Sequence, residues 1–242
     1  MTISAALKDH YERGYADYSR ADWRALGALH KAANIMHLCE SLPHERILEI
    51  GGGDGAILEC LRKNSFGREW HALEISNSAV QLMNSKGFPS QLFDGETLPH
   101  ANKSFDIVIL SHVVEHLEHP RMLLQEAGRV GAHVCVEVPL EHTIRMKDED
   151  VFRSVGHLNY FTPSTARMLM MSAGYDIVST RLDNPSRKNL AFNHGPWKGT
   201  LVWSIRELGL KLVPGLATKI FQYHYALLGR PRSTGITLNP GT

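Results

Sequence analysis

The chain has 242 residues, which suits one large α/β domain, or one domain with small additions, and allows a sizeable core. Its 26 basic and 25 acidic side chains give a net charge of +1, so the overall charge gives no reason to expect nucleic-acid binding. The three cysteines are widely separated and fit neither a disulfide framework nor a metal knuckle, so we expect a cytoplasmic protein. We find neither a secretory signal nor an apolar stretch long enough to span a membrane.

Residues 1–43 precede the first predicted strand and carry apolar side chains at helix-like spacing in two segments. This spacing predicts two amphipathic helices that form a cap packed on the edge of a sheet. An alternative interpretation makes the segment a lid, with a ligand close to Tyr11, Arg13, Tyr15 and Tyr18.

Residues 47–55 read Ile-Leu-Glu-Ile-Gly-Gly-Gly-Asp-Gly, and the rest of the prediction is organised around them. The apolar residues 47–50 predict a buried strand, and residues 54–64 predict a helix. A strand, a glycine turn and a helix are typical of the start of a nucleotide-binding α/β unit. The glycines permit a tight turn and let a ligand lie against bare backbone.

Two ligand classes fit this turn. Gly51, Gly53 and Ala56 match the Gly-x-Gly-x-x-Ala spacing of a dinucleotide site. Two acids, Glu49 and Asp54, flank the turn and would repel a pyrophosphate, whereas they suit a ligand that carries an ammonium and a sulfonium. Charge therefore favours S-adenosylmethionine (SAM) over a dinucleotide, and a purely structural turn is the third alternative.

Acidic residues also follow the next two predicted strands. Residues 70–75 predict the second strand, which ends in Glu74 and Ile75. A carboxylate here can accept both ribose hydroxyls of either cofactor, so it supports the fold without choosing the ligand; a solvated surface acid is the plainer alternative. Residues 89–93 predict a short third strand, after which Asp94 could accept the exocyclic amine of an adenine.

The fourth predicted strand, residues 105–110, is almost continuously apolar, as an interior parallel strand should be. Residues 111–117 follow it, and within them His112, Glu115 and His116 match the inverted zinc-protease signature His-x-x-Glu-His. Because His112 lies where a strand ends, the regular helix that this signature needs is not expected. We therefore expect no metal.

The wider pattern resembles a known family. The run from Asp94 through Leu98-Pro99, Ser104-Phe105-Asp106 and residues 111–117 is similar to SAM-dependent methyltransferases of the UbiE/type 11 and type 23 kind. Together with Glu74 and the Glu-x-Gly-x-Gly-x-Gly pattern at residues 49–55, it covers residues 47–120 in the expected order and spacing. A His-x-x-x-Phe-Thr-Pro run and a later Ala-Gly-Tyr also resemble the type 23 group. The dinucleotide hypothesis becomes a minor alternative.

The resemblance implies the fold and the cofactor site. The implied fold is α/β: a Rossmann-like class I methyltransferase with a seven-stranded, mostly parallel sheet, an antiparallel strand 7 and helices on both faces. One methyltransferase domain would fill residues 1–242, with a cap (1–43), a SAM-binding core (44–183), a helical insertion (184–220) and the final strand (221–230). The implied contacts to SAM, with S-adenosylhomocysteine as product, are Glu49, Gly51, Gly53, Glu74, Ile75, Asp94, Gly95, Glu96, Ser111 and His112.

The insertion carries an apolar face that is broken at Pro214 and consists of Trp203, Ile205, Leu208, Leu212 and Leu216. The plainer interpretation is a helix that packs on the sheet. Nearby tryptophan and basic side chains would also suit weak association with a membrane surface or a dimer contact, so the chain is expected to be a monomer or a homodimer.

Methyl transfer needs an aligned acceptor, the exclusion of water and sometimes the removal of a proton. A hydroxyl acceptor needs a base with a pKa near neutral, for which histidine is suited, whereas an amine need only arrive unprotonated. The candidates at the carboxyl edge of the sheet are His112, His116, Glu137, Glu141 and His157. We favour His157, which follows a polar loop predicted over the active site, and place His116 second. A structural, hydrogen-bonding histidine is the alternative for either.

Three classes of function therefore fit the sequence: a small-molecule methyltransferase, a non-catalytic SAM-binding regulator and a zinc hydrolase. The intact loop and the polar edge favour the enzyme. The expected acceptor is a small molecule, with no nucleic acid as partner: a hydroxyl of a sugar, metabolite or natural-product intermediate, or a small amine.

Overall fold

A computed structural model describes residues 12–13, 21–95, 97–146 and 156–233. Helix α1, Ala21–Cys39, confirms the second of the two helices predicted before the sheet. The predicted lid tyrosines Tyr11, Tyr15 and Tyr18 lie outside the described residues, as does most of the loop predicted over the active site.

The described strands form one seven-stranded sheet: β1 Arg46–Ile50, β2 Glu69–Glu74, β3 Ser90–Leu92, β4 Phe105–Ser111, β5 Gly131–Leu140, β6 Tyr175–Asp183 and β7 Tyr223–Pro231. The order across the sheet is β3-β2-β1-β4-β5-β7-β6. Strands β1 to β5 pair in parallel, and β7 runs antiparallel to both of its neighbours. The predicted sheet, including its antiparallel seventh strand, is confirmed.

Helices cover both faces of the sheet and bury two apolar clusters. The other α-helices of the described residues are α2 Ala56–Lys63, α3 Asn77–Ser85, α4 Pro120–Val130, α5 Pro163–Ser172, α6 Arg187–His194, α7 Pro196–Leu212 and α8 Pro214–Ile220. On one face, Ile35 of α1 packs in a cluster with Ile107 of β4. On the other face, Leu124 of α4 packs in a cluster with Val108 of the same strand. Strand β4 is therefore apolar on both sides, which explains its continuous apolar sequence.

The order of the strands fixes where a ligand can bind. Strand β1 lies between β2 and β4, so the chain reverses its direction of progress across the sheet at this point. In open parallel sheets such a reversal leaves a crevice outside the carboxyl ends of the strands. The glycine turn that follows β1 lies at this crevice.

The insertion between β6 and β7 contains α6, α7 and α8. The predicted break is confirmed, because α7 ends at Leu212 and α8 begins at Pro214. Most of the predicted apolar face is exposed: Ile205, Leu208, Leu212 and Leu216 are 50–69% accessible. These side chains do not pack on the sheet, so a membrane-surface or dimer contact stays a prediction. None of the described helices is long and apolar enough to cross a membrane.

Helices α6 and α7 approach each other at Gly199. A Cβ atom at this position would lie only 2.4–2.6 Å from backbone atoms of Leu190 and Ala191. Backbone cannot move aside as a flexible side chain can, so Gly199→Ala should lower the free energy of unfolding by about 1–3 kcal/mol, as overpacking does. Urea denaturation followed by circular dichroism measures this change.

Gly215→Ala in α8 is the matched control, since a Cβ atom there meets nothing within 4 Å. We expect this variant to unfold at the wild-type urea concentration or slightly above it, because alanine favours a helix. Equal stability of the two variants would contradict the close packing of α6 on α7.

Candidate active site

A cavity of about 650 Å³ opens at the carboxyl edge of the sheet, between α1, the glycine turn and the insertion. Eight of the predicted cofactor residues line it: Glu49, Gly51, Gly53, Glu74, Ile75, Gly95, Ser111 and His112. Asp94 is exposed and is not among the lining residues, and Glu96 lies outside the described part of the chain. The predicted bases His116 and His157 also line the cavity, together with Glu141.

The glycine turn needs glycine for conformational reasons. Gly51, Gly53 and Gly55 have φ values of 74°, 56° and 74°, in the left-handed region that other residues rarely adopt. At Gly51 a Cβ atom would also lie 2.6 Å from Cγ2 of Val113. The turn therefore presents bare backbone to the cavity, as a closely approaching ligand requires.

Glu74 holds the glycine turn against the end of β2. Its side chain is buried and accepts the backbone N–H of Gly53 at 2.8 Å and of Ile75 at 2.6 Å. Burial raises the pKa of this carboxyl group, and the backbone hydrogen bonds oppose that shift. A carboxylate offers about four acceptor positions, so Glu74 can serve the turn and still accept ribose hydroxyls.

The two acids that flank the turn differ in their surroundings. Asp54 accepts from Arg24 of α1 at 2.8 Å and from the backbone N–H of Ala56 at 3.2 Å. Glu49 is buried, and its Oε2 atom has no hydrogen-bond partner within the residues that the structure describes. Burial raises the pKa of Glu49 well above its ordinary value, although Lys31 opposes the shift. A buried carboxylate oxygen that lacks a donor fits the ammonium group of SAM.

The two predicted bases lie side by side. The Nδ1 atom of His157 is 2.5 Å from Oε2 of Glu141, and the side chain is largely buried. The rings of His116 and His157 are 4.6 Å apart, and Nδ1 of His116 lies 3.3 Å from the carbonyl oxygen of Gly156. A histidine that donates from Nδ1 to a carboxylate keeps Nε2 as its proton acceptor. The Glu141–His157 pair therefore has the arrangement of an oriented base.

Glu115 adds a second titratable group beside these histidines. Its side chain is fully buried, and neither carboxylate oxygen has a hydrogen-bond partner in the described part of the chain. Burial raises its pKa to about 7. A carboxyl group with such a pKa can hold or release a proton near neutral pH.

The residues of the His-x-x-Glu-His signature do not form a helical zinc site. His112 follows β4 with φ of 58°, and the residues after it form only a 3₁₀ turn, Val114–His116. His112 lies with Glu137 and His224, whereas His116 lies with Glu115 and His157. The zinc-protease hypothesis is therefore wrong, for the geometric reason expected from the sequence.

Several polar residues of the site follow no sequence motif. Lys31 of α1, Arg206 of α7 and His224 of β7 line the cavity, although they are far apart in the sequence. Nothing in the sequence distinguishes Lys31 or Arg206 from surface cations. The sequence around His224 is more informative, because this polar residue stands between Tyr223 and Tyr225 and before an apolar run, residues 226–228.

Comparison with known proteins agrees with this geometry. The Methyltransf_23 family model, described as a methyltransferase domain, matches residues 21–180. The ubiquinone/menaquinone biosynthesis C-methyltransferase UbiE of Paraburkholderia phytofirmans is 26% identical over 125 residues, which are 48% of this chain and 51% of the relative. The chain spans about half the length of the curated relatives it matches.

Solved structures share the fold at low identity. A possible histamine N-methyltransferase from Thermotoga maritima has a TM-score of 0.62 and 17% identity, and the match covers 93% of this chain and all of the other. Phosphoethanolamine N-methyltransferase 2 of Haemonchus contortus, solved with phosphomonomethylethanolamine and S-adenosylhomocysteine, has a TM-score of 0.65 and 10% identity, covering 95% of this chain and 61% of the other.

The glycine turn, the topology of the sheet and the family match agree with one another. The family model covers more than half of the chain, and the structural neighbours reproduce the arrangement of its strands. The chain belongs to the type 23 methyltransferase-domain family, within the class I SAM-dependent methyltransferases.

Proposed function

We propose that this protein is an enzyme that methylates a hydroxyl group of a small molecule, such as a sugar, a metabolite or a natural-product intermediate. The observation that carries the proposal is the Glu141–His157 pair, which shares one cavity with the glycine turn and Glu49. A hydroxyl must lose its proton on methylation, and an oriented histidine serves that step. A small amine is the second candidate acceptor, because it can arrive unprotonated and needs no base.

The residues around the turn would hold the cofactor. Glu49 would accept from its ammonium group, Glu74 from its ribose, and the glycine backbone would lie against it. When bound, SAM supplies a methyl group that its sulfonium has already activated. The protein then has to align the acceptor and exclude water.

The proton of the acceptor would pass to His157. Glu141 holds the ring through Nδ1, so Nε2 takes the proton as the oxygen becomes methylated. The cavity has a volume of about 650 Å³ and must contain cofactor and acceptor together. The space that remains suits a small acceptor better than a polymer.

The surroundings of Arg206 favour an acceptor that carries an acidic group. It lines the cavity, is 8% exposed, and packs 5.2 Å from the ring centroid of Tyr223. Its Nε and Nη2 atoms have no hydrogen-bond partner among the described residues. A buried cation without a carboxylate is costly, and an anionic ligand would offset that cost. A phosphate or carboxylate on the acceptor would supply the anion.

The cofactor role of Glu74 predicts a binding defect. Glu74→Ala should weaken SAM binding by about 1.5–3 kcal/mol, the scale of a hydrogen bond to a charged group. Gly53→Val should bind even more weakly, because a β-branched residue disfavours φ of 56° and its side chain would enter the ligand space. Isothermal titration calorimetry with SAM measures both effects.

Glu69→Ala is the control for these variants, since Glu69 is an exposed carboxylate at the start of the same strand. It should bind SAM as the wild type does. Wild-type affinity in a folded Glu74→Ala variant would show that the ribose is held elsewhere.

The base role predicts a loss of turnover without a loss of cofactor. His157→Ala should bind SAM normally and should lower the rate of methyl transfer by about 10²–10⁴-fold, the usual effect of removing a general base. His157→Asn should not restore the rate, because an amide cannot take the proton. Single-turnover transfer of a labelled methyl group measures the chemical step.

His119→Gln, an exposed histidine at the start of α4, is the control and should keep the wild-type rate. Wild-type rates in both His157 variants would move the base to His116 or remove the need for one. A loss of SAM binding instead would place His157 in the cofactor pocket.

The role of Arg206 predicts a preference among acceptors. In a panel of hydroxyl compounds with and without a phosphate or carboxylate, the wild type should prefer the anionic members. Arg206→Gln should lose that preference, by about 1.5–3 kcal/mol in kcat/KM, the scale of a charged hydrogen bond. Arg206→Lys should retain part of it, and equal use of neutral and anionic acceptors by the wild type would exclude this role.

A further inference from the structure

Three side chains meet at one point beside the cavity: His112, which is also a predicted cofactor contact, Glu137 and His224. The Nε2 atom of His112 is 3.4 Å from Oε1 of Glu137, and Nδ1 of His224 is 3.5 Å from the same oxygen. All three atoms are buried and, apart from these long contacts with one another, have no hydrogen-bond partner among the described residues. Buried polar atoms are nearly always paired, so three converging exceptions need an explanation.

The distances favour a shared ion over direct hydrogen bonds. Hydrogen bonds from nitrogen to a carboxylate are about 2.7–2.9 Å long, shorter than either distance. Zinc binds histidine nitrogen and carboxylate oxygen at about 2.0–2.2 Å, so two ligand atoms of a tetrahedral site lie about 3.4 Å apart. The three atoms of His112, Glu137 and His224 all lie within 4.8 Å of one another.

The backbone holds these ligands in place. Glu137 of β5 lies opposite Ser111, the last residue of β4, and opposite Ala226 of β7. His112 directly follows β4 and His224 lies in β7, so three adjacent strands position the three side chains. His112 has φ of 58°, and its N–H donates to the carbonyl oxygen of Glu137 at 2.9 Å. Residues other than glycine rarely adopt this conformation, and strained residues cluster at functional sites.

Asn34 of α1 orients Glu137. It donates to Oε2 of Glu137 at 3.0 Å, which leaves Oε1 for an ion. Carboxylates that bind metals are commonly oriented in this way by outer hydrogen-bond partners.

We propose that His112, Glu137 and His224 bind a divalent transition-metal ion with the ligand preference of Zn²⁺. His112 and His224 line the cavity, so the ion would face the space assigned to the acceptor. Its open coordination position could take an acceptor oxygen and favour loss of the hydroxyl proton. The proposal departs from the sequence-based expectation of no metal, and it does not rest on the proposed acceptor or base.

Zinc binding tests the site without any acceptor. The untagged full-length protein is stripped with a chelator and titrated with Zn²⁺, and bound zinc is counted by mass spectrometry. We expect one zinc per chain and a higher melting temperature, as for any ligand of the native state. Co²⁺ in place of Zn²⁺ should show the visible absorption of a tetrahedral site.

Variants assign the ion to these ligands. His224→Gln should lose the zinc and its thermal shift, and Glu137→Gln should do the same if it folds. Asn34→Ala should bind zinc about 10–100-fold more weakly, as expected for a partner that orients a ligand. His119→Gln, the exposed control, should bind zinc as the wild type does.

Two outcomes would overturn the proposal. One is a wild-type protein that binds no zinc. The other is a folded His224→Gln variant that retains zinc while His116→Gln loses it, which would assign the ion to the neighbouring group of Glu115, His116 and His157. The first result leaves the proposed methyl transfer intact, because SAM binding and turnover test that proposal separately. The second would make His157 a metal ligand and would count against its role as the base.

Discussion

The buried carboxylate of Glu74 is the interaction on which the site depends. It accepts backbone N–H groups from the glycine turn and from the end of its own strand, and so joins the loops that follow β1 and β2. Without this link, three glycines with positive φ would be free to adopt many conformations. The same carboxylate lines the cavity and offers hydrogen-bond acceptor atoms to a ligand.

The second constraint is the cost of burying charge. Lys31, Glu49 and Arg206 line the cavity, and the buried carboxyl groups of Glu115 and Glu137 lie against His112, which also lines it. Such an arrangement is unfavourable unless ligands complete it. A cationic cofactor, an anionic acceptor and a divalent ion would each compensate one part of this charge distribution.

Both constraints arise at the carboxyl edge of the sheet. Parallel strands end at the same edge, so loops that are distant in sequence become neighbours, and antiparallel β7 brings the beginning of its strand to the same place. His112, Glu137 and His224 meet for this reason, and His157 meets Glu141 beside them. The topology of the sheet therefore decides which side chains can act together.

The sequence by itself determined the strands, the glycine turn and the acid Glu74 at the end of β2, because local periodicity and spacing carry that information. The antiparallel direction of the seventh strand followed from the resemblance to a methyltransferase family. The sequence also identified His157 as the favoured base, but it did not predict that Glu141 would orient the ring of His157. Only the tertiary structure shows that His112 and His116 belong to different side-chain clusters and that the apolar face of α7 is exposed. It also shows that Lys31, Arg206 and His224 line the cavity. These outcomes depend on contacts between distant residues, and local sequence patterns do not encode such contacts.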